Sequence, residues 1–164
     1  MTTIEGPPAG ERAEAWLTPD QLASWLSVVR LITRLPWALD AHMQRSADLS
    51  MTEYLAMAML AKAPRQTMRM SDLAELTNSS LSRLSHLVKR LEGQGYVRRE
   101  ADAADGRCTN AILLPAGVAK LESAAPAHVA HVRQLVIDNL SPERLRRLGQ
   151  DADRIVQRID SPAR

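Results

Sequence analysis

The chain has 164 residues, of which 45% are hydrophobic and 24% charged, enough to bury the core of one domain or of a domain with helical extensions. No apolar run approaches the length of a membrane span, and the opening MTTIEGPPAGERAEA lacks the basic start and apolar core of a secretory signal, so a cytoplasmic protein with no membrane partner is expected. The formal net charge is only +2, but it is unevenly spread: residues 1–61 carry −3 and residues 62–99 carry +5, a local concentration suited to a polyanionic partner.

In chain order, residues 1–17 read as a flexible arm, rich in Gly, Pro, Ala and Glu. Thr18-Pro19-Asp20-Gln21 then predicts a helix start, with a threonine cap, proline at the first position and Gln three residues after the cap. Leu22, Trp25, Leu26, Val29, Ile32 and Leu35 continue at helical spacing until Pro36, which predicts a kinked helix or two helices in series over residues 18–48. Ser50 and Glu53 form a second capping box, opening a helix that carries Tyr54, Leu55, Met57, Ala58 and Leu60 and that Pro64 stops near Ala63. Arg65 to Arg69 reads as a linker. Ser71 then caps a brief helix through Leu76, with Asp72 and Glu75 in its first turns.

The segment from Asn78 to Gly117 organises the rest. Leu81, Leu84, Leu87, Val88 and Leu91 recur at spacings of three and four and predict one packing stripe, with Ser82, Arg83, His86, Lys89 and Arg90 on the other side. Ser80 supplies the cap, and Gly93 or Gly95 the stop. Small polar residues at the start of such a helix, with cations further along, suit insertion into a DNA major groove. The candidates for base contact are Ser80, Ser82, Arg83, Ser85 and His86. Ser79 and Arg98 are candidates for the DNA backbone, and Lys89 and Arg90 for phosphate contacts or internal ion pairs. Tyr96 to Arg99 and Thr109 to Leu113 read as strands, and the polar stretch Ala101 to Arg107 between them as a hairpin tip. Arg107 can enter a narrow minor groove, while Asp105 either holds that arginine or makes the turn.

Asp105-Gly106-Arg107, five residues, then Leu113-Leu114-Pro115-Ala116-Gly117 resembles the wing signature of MarR-type transcription regulators, D-x-R-x(5)-L-T-x-x-G, in register. LAELTNSSLSRLSHLVKRLEGQGYV resembles the two helices of their winged helix-turn-helix, and the resemblance spans roughly Ser50 to Leu121. Leu114 stands where the family usually has threonine, so the next helix must start without a side-chain cap. The implied fold is mainly α with a small β-wing: a winged helix-turn-helix core over 49–117, flanked by dimerisation helices over 18–48 and 118–160 and a tail from 161.

Beyond the wing, Ala116 to Leu140 is helical with a kink at Pro126, and Ser141-Pro142 opens a last helix carrying Leu145, Leu148, Ile155, Val156 and Ile159. These outer stripes have no obvious partner within one compact domain, and a second copy is expected to supply it, the alternative being a monomer that folds its termini back on itself. Two-fold pairing also lets two recognition helices read two half-sites about one turn apart. The expected function is a homodimeric, sequence-specific regulator of double-stranded DNA, by default a repressor on a pseudo-palindromic operator. The resemblance adds a small effector, often aromatic or anionic, between dimer helices and winged domain. By position Trp25, Trp37, His42, Met43, Tyr54 and Met57 are the candidates to line that cleft, although these residue types at helical spacing equally make core.

Other chemistry finds few parts. Cys108 is the only cysteine and reads as a free thiol of little consequence. His128 and His131 lie three apart on one helical face, but without cysteines or a carboxylate cluster they make a poor metal site, so neither metal nor cofactor is expected. No glycine-rich phosphate loop, H-E-x-x-H or G-x-S-x-G occurs, which argues against an enzyme. The alternatives are a winged-helix protein-interaction module, since the fold does not dictate what its helix binds, or a DNA-binding protein without ligand response.

Overall fold

The computed structural model describes residues 16–102 and 105–161, so the first fifteen residues of the expected arm, the last three of the tail and positions 103–104 of the hairpin tip lie outside the described residues. The chain divides into two compact units, Met1–Ala38 and Leu39–Arg164. Helix α1 (Pro19–Ala47) starts in the first. Its capping box is reciprocal: the Thr18 N–H donates to Gln21 Oε1 at 2.9 Å and the Gln21 N–H to Thr18 Oγ1 at 3.3 Å. One helix runs through Pro36 instead of two in series, because proline removes one backbone donor without forcing the chain to stop. Within the first unit the stripe residues Leu22, Trp25, Leu26 and Ile32 stay about half exposed.

The second unit continues with α2 (Met51–Lys62), a 3-10 turn at Pro64–Gln66, β1 (Thr67–Arg69), α3 (Met70–Leu76), α4 (Leu81–Gly93), β2 (Val97–Ala101), β3 (Thr109–Leu113), α5 (Pro115–Leu135), a second 3-10 turn at Ile137–Asn139, and α6 (Pro142–Asp160). Mainly helical structure with a small sheet is the fold class expected. The sheet is antiparallel in the order β1-β3-β2, with Met68 opposite Ala111 and Arg99 opposite the same Ala111 on its other side. The linker expectation for Arg65 to Arg69 is therefore corrected: Thr67–Arg69 is a strand. Three residues carry no periodicity, and what makes them extended is pairing with a segment more than forty positions away.

Local signals set most boundaries. The Ser50 hydroxyl accepts the Glu53 N–H and Glu53 Oε2 accepts the Ser50 N–H at 2.7 Å, closing the second capping box. Pro64 ends α2 as expected. Ser71 does not cap α3, whose cap position is Arg69, two residues earlier; its hydroxyl instead donates to Asp72 Oδ1 at 2.9 Å. Gly95, at φ +75°, takes the left-handed conformation that ends the α4 segment. α5 begins without a side-chain cap and with Pro115 in its first turn, passes through Pro126 and ends at Leu135, short of the expected Leu140.

The core lies beneath α4. Leu84, Val88 and Leu91 are fully buried against Ala56, Met57 and Leu60 of α2, Leu73 of α3, and Val97, Ala111 and Leu113 of the sheet. Each of the leucine, valine and methionine side chains contributes about 1.5–3 kcal/mol by leaving water. Leu81 departs from the expected stripe and is 55% exposed, since it precedes the first turn that reaches the core. α6 buries none of its residues: Leu148, Ile155, Val156 and Ile159 face outward. No helix among the described residues is long and apolar enough to cross a membrane.

Candidate nucleic-acid interface

Helix α4 is held by its buried face, which leaves the opposite face free to touch a partner. The turn before it is built by backbone satisfaction at the end of α3. The Ser79 N–H donates to Ala74 O and the Asn78 N–H to Glu75 O, while Asn78 adopts φ +47°, a conformation that asparagine tolerates better than most residues. Thr77, buried, donates its hydroxyl to Leu73 O at 2.7 Å. The Ser80 hydroxyl accepts the Arg83 N–H at 3.3 Å, so this candidate base contact is engaged as the helix cap. The Ser79 hydroxyl, a candidate for the DNA backbone, donates within the turn to Thr77 O.

Ser82, Arg83, His86 and Lys89 are exposed on the outer face and Ser85 is half-buried at its edge. Arg90 resolves differently. Its Nε lies 3.2 Å from Oε1 of Glu53, whose carboxylate is almost fully buried and also caps α2. Of the two roles open to Arg90, the structure shows the internal ion pair. Removing Arg90 would leave the buried Glu53 carboxylate without its ion partner at the α2–α4 contact.

The wing is joined to α4 by Arg99 and Glu92. The Arg99 backbone N–H donates to Glu92 Oε1 at 3.1 Å, and its Nε and Nη2 donate to Oε2 at 3.0 and 2.7 Å. These bonds to Arg99 hold the Glu92 carboxyl below its ordinary pKa, the side-chain bonds having the largest effect. Sequence reasoning missed this strut, because nothing in the one-dimensional pattern pairs position 92 with position 99. Arg98, a candidate backbone contact on the same strand, pairs with Glu100.

At the tip, Asp105 Oδ1 accepts the Arg107 N–H at 3.1 Å and Cys108 Sγ donates to Asp105 Oδ2 at 3.4 Å. Asp105 thus makes the turn and fixes the Arg107 backbone, leaving the guanidinium exposed. The bond to Asp105, and then burial, push the Cys108 thiol above its ordinary pKa, which keeps it protonated at neutral pH and weakly reactive. Between α4 and the wing opens a cleft of about 310 Å³, bordered by Leu81 and Ser85 of α4, Arg69 and Ser71 from the β1–α3 junction, and Arg99 and Arg107 of the wing. Arg69 also faces Asp102 at 3.8 Å. Arg69 and Ser71 were not among the sequence candidates; only the pairing of β1 with β3 carries them to the wing.

Of the six residues considered for an effector cleft, two lie in the first unit and four in the second. Trp25 and Trp37 belong to the first unit and are 50% and 75% exposed, whereas Met43 and Met57 are fully enclosed in the second. His42 and Tyr54 meet the two histidines of α5. His42 stacks on His131 with ring centroids 4.0 Å apart and its Nε2–H donates to Ala127 O at 3.1 Å; Tyr54 lies 4.8 Å from His128. His128 and His131 thus take different aromatic partners. Among the described residues no group of three or more His, Cys, Asp or Glu is arranged to hold a metal ion.

His128 Nδ1 is enclosed without a hydrogen-bond partner among the described residues. Burial first, then the neighbouring His42 and His131, depress the His128 pKa below its ordinary value of 6.5. The unfolded chain therefore takes up a proton near that ordinary value while the folded chain does not, and stability present above about pH 6.5 is lost as pH falls toward the folded pKa. The melting temperature is expected to drop between pH 7.5 and pH 5.5, and His128→Phe to flatten that drop. An identical pH profile in wild type and variant would remove His128 as its source.

A two-helix motif whose second helix faces outward, followed by an arginine-tipped β-hairpin, defines a winged helix-turn-helix protein. The MarR family model matches residues 47–107. The fold is similar to that of Sco3205, a MarR family transcriptional regulator from Streptomyces coelicolor crystallised in complex with DNA, at 40% identity and TM-score 0.84 over 90% of this chain and 96% of that one. AbsC, a MarR family transcriptional regulator of the same organism, is 35% identical at TM-score 0.82, covering 88% and 97% of the two chains. A probable transcriptional regulator from Pseudomonas aeruginosa is 26% identical at TM-score 0.67, covering 77% and 96%. Among curated proteins no match is found. The chain belongs to the MarR family of transcriptional regulators.

Proposed function

We propose that the chain binds double-stranded DNA sequence-specifically as a homodimer, each copy placing α4 in a major groove and its wing in the adjacent minor groove, on an operator of two related half-sites. The observation that carries this reading is the exposed face of Ser82, Arg83, His86 and Lys89, presented over a fully buried leucine and valine stripe and beside an exposed wing arginine. The crystallised DNA complex of the 40% identical Sco3205 supports it. Residues 49–117 form the DNA-binding region in this reading, and α1, α5 and α6 the pairing region. In this reading Lys89, exposed on α4, is a phosphate contact, and Arg69 and Ser71, which border the cleft between α4 and the wing, are two more.

Salt titration of operator affinity tests this. Affinity should fall steeply with salt as counterions are released, and replacing Arg83 and Arg107 together by alanine should flatten the slope. Arg83→Ala alone should cost about 1–3 kcal/mol on the preferred operator and relax selectivity at one base position, while Arg107→Ala should weaken binding most on A·T-rich flanks. Salt-independent affinity would favour a protein-interaction module instead, and unchanged affinity in Arg83→Ala would remove Arg83 from base contact.

A further inference from the structure

Leu81 is out of place for a packing residue. It is the first residue of α4, next to the cap Ser80, and is 55% exposed although Leu84, Val88 and Leu91 of the same stripe are fully buried. It borders the cleft between α4 and the wing, one helical turn before Ser85. The first turn of a recognition helix is the part that meets base edges. A leucine there has no hydrogen bond to offer. In the major groove the base-edge group that rewards an apolar side chain is the 5-methyl of thymine.

Resting on the DNA-binding reading above, we infer that Leu81 is a specificity-determining residue that packs on the 5-methyl group of a thymine in each half-site. Its hydroxyl-bearing and charged neighbours Ser82, Arg83 and Ser85 read hydrogen-bonding patterns, whereas Leu81 distinguishes thymine from cytosine by shape and apolarity. Burying about one methyl group sets the scale of the effect, about three- to fivefold in affinity per half-site.

The test starts by selecting duplex sites from random-sequence DNA with the purified full-length chain, then replaces each thymine of the selected half-site in turn by deoxyuridine, which keeps the base pair and lacks the methyl. Wild type should lose about three- to fivefold at one thymine per half-site. Leu81→Ala should bind thymine and deoxyuridine equally at that position, and Leu81→Met should retain the preference. Leu76→Ala, a truncation of a comparably exposed leucine at the end of α3, should leave the preference intact. Equal binding of thymine and deoxyuridine by wild type at every position overturns the assignment, as does a full preference surviving in Leu81→Ala. Failure to select any duplex sequence would instead overturn the DNA-binding reading itself, and Leu81's role with it.

Discussion

A chain carrying Ile155→Glu and Ile159→Glu is expected to sediment as a monomer and to lose about a hundredfold or more of its operator affinity. α6 has no buried residue, yet Leu148, Ile155, Val156 and Ile159 recur along it at helical spacing and are 42–74% exposed. So extended an apolar stripe is stable in water only when something covers it, and an identical stripe on a second copy is the self-complementary solution that two-fold symmetry provides. Placing carboxylates in that contact removes apolar burial and adds charges without partners. Affinity falls when pairing is lost because one recognition helix reads few base pairs, while in a dimer the second binds its half-site at the high effective concentration that linkage supplies. Neither isoleucine contributes to the core under α4, so circular dichroism should still report a folded winged region. A variant that stays dimeric, or a monomer with wild-type affinity, would refute pairing through α6.

Gly117→Ala is expected to destabilise the winged region by about 3 kcal/mol and lower the melting temperature by about 6–12 °C. A Cβ at position 117 would overlap the Tyr96 carbonyl oxygen and lie 2.6 Å from Leu113 Cδ1. Tyr96 cannot simply retreat, because its carbonyl accepts the Leu114 N–H at 2.9 Å and so ties the start of the wing to the start of α5. Leu113 is equally confined, being 2% exposed within the core. Gly93→Ala is the control: nothing lies within 4 Å of its Cβ, and the exchange should be neutral or stabilising by up to about 1 kcal/mol. Equal melting temperatures for Gly117→Ala and wild type would show that the α5 junction can yield.

Features written into neighbouring residues are legible in the sequence itself. Thr18 with Gln21, Ser50 with Glu53, Ser80 and Ser141 each cap where they were expected to, because a cap is a bond across three positions of the chain. The order helix, turn, helix, hairpin was equally legible, as was the wing strand Thr109 to Leu113. The recognition stripe was right for Leu84, Val88 and Leu91 and wrong for Leu81, since periodicity identifies a face but not where the core beneath it stops.

The amino-acid order by itself determined which helices form, where most of them start, and which side of α4 is polar, all consequences of forces acting over a few residues. Only the tertiary structure decided that Thr67–Arg69 is a strand, that Arg90 answers Glu53 while Arg99 grips Glu92, and why position 117 cannot carry a side chain. Those outcomes depend on groups far apart in the chain, or on segments fitted together in space, and such proximity exists only after the apolar faces have closed on one another.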